Sequence, residues 1–295
     1  MTNAATSSGL TVSVRHPAAG LARRNLLGVS RTNPGLRGGR ANPWNLNRII
    51  PAEESMEVLA SSTVLAGCAQ VIDRLRADPP AVHAITSPVA AERTANTLLA
   101  LGIRPSLTVN PDEVAAFVAV SDALLVNLGM LDPVREAAID RAVAEAARQA
   151  RPWVLDPVFA EVSPARAALT RALLARGPAA LKANAQEAGL AADAPITTVA
   201  IVTGAEDRLR LGARNIGIAN GHPLAASVTA MGCALGALVA ACLCRADDPL
   251  RLSPTASPPN RRQPEQAAAE SEGPGSFAVA FYDCPAIDRG ETIVK

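Results

Sequence analysis

The chain has 295 residues, 49% hydrophobic and 19% charged, a balance that suits one or two soluble domains. Its net charge of +1 provides no field for nucleic acid or an anionic membrane, so neither is expected as a partner. The five cysteines (Cys68, Cys233, Cys242, Cys244, Cys284) imply no disulfide framework, and His16, His83 and His222 show no metal-ligand spacing, which leaves a reducing, cytoplasmic setting as the expectation.

Residues 1–55 carry seven arginines and no acid before Glu53. Arg-rich, acid-poor N-termini are a transit-peptide signature, but the Gly and Pro of 34-PGLRGGRANP-43 favour a disordered extension. Folded character begins near Ser61. Ala81–Thr86 reads as a strand, Ala90–Leu101 as a helix stopped by Gly102, and Ser106–Val109 as a second strand. Asn110-Pro111 starts a helix through Val120 with Val114, Phe117 and Val118 on one face. Ala123–Asn127 is a continuous apolar run of the kind a doubly covered parallel strand shows. Asp132-Pro133 caps a helix to Arg148, Pro152–Asp156 is a strand, and Ser163-Pro164 caps a helix ending at Gly177. Ala179–Lys182 and Thr198–Val202 are further strands, and Arg208–Ile218 reads as a hairpin. Alternating strands and helices predict an α/β fold with a mainly parallel sheet flanked by helices.

Ser227–Cys244 (S-V-T-A-M-G-C-A-L-G-A-L-V-A-A-C-L-C) carries no charge. It approaches the length of a membrane span, but alanine dominates and no second such segment exists, so a helix buried against the sheet is the stronger reading. A small-residue loop feeding that helix would present free N–H groups at the positive end of its dipole, an anion hole at Gly232. Cys233, in the first turn, would feel the same dipole, which favours a thiolate; the plainer reading is a small apolar residue.

The expected strands end in Asn127, Asp156, Asn184 with Glu187, and Thr203-Gly204. In open α/β sheets the ligand crevice lies outside those carboxyl ends. A single polar residue there is most often a helix cap. Four in succession beside an anion hole make a better case for a polar ligand, and Asp156 and Glu187 could hold Mg²⁺ as hard oxygen donors. Such parts would assemble a phosphoryl-transfer site, and no Walker A motif is present.

The segments R-T-A-N-T-L-L-A-L-G-I-R-P-S (93–106), A-L-L-V-N-L-G-M-L (123–131), V-L-D-P-V (154–158), N-A-Q-E (184–187), I-V-T-G-A-E-D (201–207), M-G-C-A-L-G-A-L-V-A-A (231–241) and S-E-G-P-G-S-F (271–277) resemble hydroxyethylthiazole kinase in the family's order. The resemblance implies a ribokinase-like fold and transfer of the ATP γ-phosphate to 4-methyl-5-(2-hydroxyethyl)thiazole in thiamine salvage, with Mg²⁺. It implies that Cys233 and Gly232 form the catalytic loop, with Cys233 accepting or positioning the alcohol proton. Lys182, Thr203 and Asn184 would bind ATP, Glu187 and Asp156 the metal, and Leu107 and Ala230 the thiazole. It further implies a homo-oligomer, commonly a trimer with sites between subunits.

The chain departs from the family at Thr86-Ser87-Pro88, at Phe159-Ala160-Glu161 where a glycine-rich run is usual, at Ala205, and at Ala230, whose methyl group disfavours a positive φ. The segment after Glu187 is short, and the Pro-rich stretch from Arg245 to Ser271 lacks an apolar face. The expected organisation is therefore an extension over 1–55, a kinase-like domain over 56–283 with a disordered insert at 246–270, and a tail over 284–295. A catalytically impaired relic that keeps the fold, and a membrane-attached protein built on 223–244, stand as alternatives.

Overall fold

The computed structural model describes residues 70–204, 207–218, 222–251 and 267–288. The expected N-terminal extension, Ala205, most of the Pro-rich insert and most of the tail lie outside these described residues. A helix α1 over 70–77 leads into β1 (Ala81–Ile85), α2 (Pro88–Ala100) and β2 (Arg104–Ser106). Then come α3 (Val114–Ala119), β3 (Ala123–Asn127), α4 (Pro133–Arg148), β4 (Trp153–Asp156), α5 (Pro164–Leu174) and β5 (Ala180–Asn184). A 3₁₀ stretch, Glu187–Asp193, precedes β6 (Val199–Thr203), and the hairpin is β7 (Asp207–Leu211) with β8 (Arg214–Ile218). The last helices are α6 (Met231–Leu243) and α7 (Pro274–Asp288).

These strands make one eight-stranded sheet in the order β2-β1-β3-β4-β5-β6-β7-β8. Pairing is parallel from β2 to β6 and antiparallel beyond it. The order reverses direction between β1 and β3, the topological switch point beside which open α/β sheets bind ligands. All five residues of β3 are buried, as its unbroken apolar run requires, because both faces of the sheet are covered. Leu75, Leu98, Ala237 and Leu238 pack with Val82, Ala84 and Leu125 on one face, under α1, α2 and α6. Val114, Ile139, Val143 and Leu173 pack with Ile85, Leu124, Val126 and Leu155 on the other, under α3, α4 and α5. Each such leucine or valine stabilises the fold by about 1.5–3 kcal/mol, so the sheet is the molecule's rigid floor.

The helix starts follow their caps. Asp132 accepts the Arg135 N–H and Ser163 the Arg166 N–H, each followed by proline in the first turn. Asn110 does organise a turn, its side chain accepting the Asp112 N–H, but the α-helix begins only at Val114 and leaves Phe117 partly exposed. The second strand lies earlier than expected, at Arg104–Ser106, because Gly102 at φ +78 turns the chain directly into it. The short crossover after Glu187 closes through the 3₁₀ turns, which bury Ala188, Leu190 and Ala191. Pro249–Arg251 also form a 3₁₀ turn with Leu250 fully buried, while 252–266 lies outside the described residues. No helix among the described residues is long and apolar enough to cross a membrane, and α6 is spent on covering the sheet.

Candidate active site

The polar strand ends converge by register. Asn127 of β3 pairs with Asp156 of β4, and Asn184 of β5 with Thr203 of β6, so four polar residues share the carboxyl edge of the sheet. The α6 helix descends onto this edge with its N-terminus first. Its hydrogen-bond ladder opens with the Ala234 N–H donating to Ala230 O, so the N–H groups of Met231, Gly232 and Cys233 precede the ladder. A turn of this kind can cradle an anion, the use the sequence suggested for it.

The loop entering α6 needs a left-handed residue, and Ala230 supplies it at φ 65. The strain expected of a methyl group there is present and is tolerated. At Gly232 an added Cβ would come within 2.9 Å of Lys182 Nζ, so glycine is required for the ammonium to reach the first turn. At Gly236 a Cβ would lie 3.0 Å from Leu125 and 3.6 Å from Asp156 Oδ2, which places the helix close against β3 and β4.

Lys182 and Asp156 form a buried ion pair, Nζ lying 3.4 and 3.5 Å from the two carboxylate oxygens. Burial pushes the Asp156 carboxyl up to about 6, opposed by the Lys182 charge and reinforced by Glu187. Burial alone would lower Lys182, but the charge of Asp156, with that of Glu187 behind it, outweighs burial and holds the ammonium protonated above its usual range. A cation at the positive end of a helix is electrostatically misplaced unless anions compensate it. Asp156 does so here, and a phosphate would do so further.

Cys233 belongs to the same cluster. Burial and the Asp156 charge push its thiol up to about 11, against the lowering influence of Lys182 and a hydrogen bond with Asn127. The thiolate favoured by the helix dipole is therefore corrected: desolvation and a neighbouring carboxylate exceed the dipole, and Cys233 stays a thiol at neutral pH. It can orient a hydroxyl but is a poor proton acceptor.

Glu187 is buried and uses both oxygens structurally, Oε1 accepting the Phe159 N–H and Oε2 the Asn184 N–H, each at 2.9 Å. Asn184 Oδ1 in turn accepts the N–H groups of Gln186 and Glu187. Phe159, where the sequence lacks the usual glycine, sits at φ 59 with its ring exposed, so the substitution adds strain without filling the crevice. Thr203 donates its hydroxyl to Ala183 O at 3.2 Å. Leu107 packs against the cluster under α2 and α6, on the α6 side of the sheet. Among the described residues no group of three or more His, Cys, Asp or Glu side chains is arranged to hold a metal by itself.

Asn127 is the strand-end residue to which sequence reasoning gave no role. Fully buried, it donates from Nδ2 to Asp156 Oδ2 at 2.8 Å and accepts the Gly129 N–H at 3.0 Å, so it fixes the orientation of the carboxylate. Its place at a strand end was the available signal; only the register puts it against Asp156. Thr86, at the end of β1, has a buried hydroxyl with no hydrogen-bond partner among the described residues.

Comparison with known proteins identifies the family. The sequence pattern of the hydroxyethylthiazole kinase family matches residues 72–194 and 190–286. A probable hydroxyethylthiazole kinase of Agrobacterium fabrum is 37% identical over 230 residues, covering 78% of this chain and 93% of that protein. The hydroxyethylthiazole kinase of Cronobacter sakazakii is 38% identical, covering 76% of this chain and 94% of its own. The solved structure of the Pyrococcus horikoshii hydroxyethylthiazole kinase protein superposes with a TM-score of 0.69 at 32% identity, covering 74% of this chain and 92% of that one. The chain is a ribokinase-like α/β protein and belongs to the hydroxyethylthiazole kinase family.

Proposed function

We infer that this protein transfers the γ-phosphoryl group of ATP to the hydroxyl of 4-methyl-5-(2-hydroxyethyl)thiazole, giving the thiazole phosphate and ADP within thiamine biosynthesis or salvage. The observation that carries this reading is the buried Lys182–Asp156 pair under the N-terminal turn of α6, in a chain of this family. The alcohol oxygen attacks the γ-phosphorus in line, the bond to the β–γ bridging oxygen breaks, and the alcohol proton is released. The N–H groups of Gly232 and Cys233 and the Lys182 ammonium meet the charge of the transferring group, and the Cys233 thiol orients the alcohol. Lys182, Thr203 and Asn184 would contact ATP, and Leu107 and Ala230 the thiazole.

Mg²⁺ suits the donors present. Asp156 and Glu187 are hard carboxylates whose structural hydrogen bonds leave lone pairs free, and each could reach a hydrated ion through water. Bound with ATP, the ion would neutralise phosphate charge. The folded domain would span 56–283, with residues 1–55 as an extension, 246–270 as an insert and 284–295 as a tail. A homo-oligomer, a trimer as in the family, is supported by the exposed apolar side chains of Val89 at the start of α2, Met130 after β3 and Val134 at the start of α4. A cytoplasmic location fits the use of ATP and the thiols of Cys233, Cys242 and Cys244, none of them in a disulfide. Coverage of most of the relatives' length and the assembled Asp156–Lys182 pair favour an active enzyme over an impaired relic. The test is ADP release by the full chain with Mg²⁺-ATP, with and without the thiazole alcohol. Thiazole-dependent release with thiazole phosphate as product is expected; release indifferent to the alcohol, or none from folded protein, would refute the reading.

A further inference from the structure

His83 is fully buried in β1, on the sheet face opposite α6, between Val82 and Ala84, which point to the α6 side. Its ring stacks on Phe117 of α3 at 5.8 Å. Nε2 lies 3.1 Å from Thr108 O and Nδ1 2.8 Å from Ser106 Oγ. A carbonyl oxygen can only accept, so Nε2 carries the proton and donates to Thr108 O. In the neutral ring Nδ1 is then an acceptor, and the Ser106 hydroxyl donates to it. One buried imidazole thus grips the chain on both sides of Leu107. Thr108 is held a second time, through its own hydroxyl, by Glu113. Leu107 itself turns the other way and packs with the apolar cluster under α2 and α6.

We propose that neutral His83 is a positioning residue for the thiazole pocket, setting the place of Leu107 from the opposite layer of the sheet. The inference rests on the thiazole-kinase reading and on Leu107 lining the alcohol's pocket. β2 is an edge strand of only three residues, so its ladder to β1 ends at Ser106, one residue short of Leu107. Beyond that point the segment is held by His83 on the Thr108 carbonyl, by Glu113 on the Thr108 hydroxyl, and by the Asn110 N–H, which donates to the same hydroxyl at 3.3 Å. The α6 helix packs chiefly on α2, β3 and β4, and the polar groups beneath it, Asn127, Asp156 and Lys182, stand on β3, β4 and β5, so loss of His83, whose ring faces α3 on the other side of the sheet, leaves the phosphoryl-transfer groups in place.

Steady-state kinetics of full-length His83→Ala and Ser106→Ala, varying ATP and the thiazole alcohol separately, test the proposal. His83→Ala leaves the Thr108 carbonyl and the Ser106 hydroxyl without their partner, which corresponds to a rise of about tenfold in KM for the alcohol. Ser106→Ala removes one bond at an edge and is expected to raise that KM about threefold, in a protein with no large side chain deleted. In both, kcat and KM for ATP should stay within about twofold of the parent, because uniform substrate binding and not transition-state stabilisation is lost. His83→Gln, whose amide can donate to Thr108 O, should recover part of the loss. An unchanged KM for the alcohol in the two alanine variants, or an equal fall in kcat with both KM values unchanged, overturns the proposal. Should His83→Ala not fold, Ser106→Ala alone decides it. Parent protein with no thiazole-dependent turnover would overturn the underlying reading, and the positioning role with it.

Discussion

At the scale of single residues the site depends on charges placed where water cannot reach them. Lys182 and Asp156 are each nearly inaccessible, and each is tolerable only because of the other. Lys182→Met should therefore abolish most turnover and also destabilise the fold by about 3 kcal/mol, since it leaves an unpaired buried carboxyl. The double substitution Lys182→Met with Asp156→Leu should regain much of that stability and none of the activity. Urea unfolding beside the ADP-release assay separates the two effects; a double variant as unstable as the single one would contradict the pairing. Ala230 offers the opposite case, a residue strained by its own methyl group at φ 65. Ala230→Gly should stabilise the protein by about 0.5–1 kcal/mol, the left-handed penalty less the entropy glycine adds to the unfolded chain. Turnover should be kept or improved, and a lowered melting temperature would count against the strain.

At the scale of elements, His83 ties the middle of β1 to the end of β2 and the segment after it, and burial lowers its pKa from 6.5 to about 4, against the raising influence of the Thr108 carbonyl and of Glu113. The sign follows from proton uptake. Below pH 6.5 the unfolded chain protonates this histidine while the folded protein does not, so stability is complete above 6.5 and falls as pH drops towards 4. The loss should approach about 1.4 kcal/mol per pH unit, about 3 kcal/mol over the window. In His83→Gln the decline over the same window should be shallower by about 1 kcal/mol per pH unit, as read from urea midpoints between pH 4.5 and 7. Parallel profiles would mean that the histidine titrates normally. The element scale also shows why α6 was readable but its use was not. Its alanines and leucines predict a helix anywhere. Its depth against β3 and β4 depends on Gly236 facing Leu125, a contact between segments more than a hundred positions apart.

At the scale of the whole molecule, one sheet orders everything else, and the polar ends of β3 to β6 share its carboxyl edge. Val89 at the start of α2, Met130 after β3 and Val134 at the start of α4 are exposed apolar side chains, and these are proposed to meet another copy of the chain. Light scattering behind a sizing column should return the mass of three chains, and Val89→Asp with Met130→Asp should shift it towards one. A parent protein that elutes as a monomer would end the trimer proposal. The alternation of strands and helices, the caps at Asp132 and Ser163 and the covered run at β3 were legible in the sequence, because each depends on neighbours a few residues away. The convergence of Asp156, Lys182, Glu187 and Cys233 was legible only as polar residues at successive strand ends, helped by the family's motifs.

What the sequence determined by itself is therefore the local order: an α/β chain, its strands and caps, a small-residue loop before an apolar helix, and membership in a kinase family. What only the tertiary structure decided is protonation and partnership. It decided between the two readings of Cys233 in favour of a thiol, gave both Glu187 oxygens to backbone N–H groups, brought Asn127 against Asp156, and placed His83 behind Leu107. The reason is physical. Helix and strand formation follow from periodicity along the chain, whereas desolvation and charge pairing depend on the groups that the folded sheet brings within a few ångströms, which no spacing in the sequence encodes.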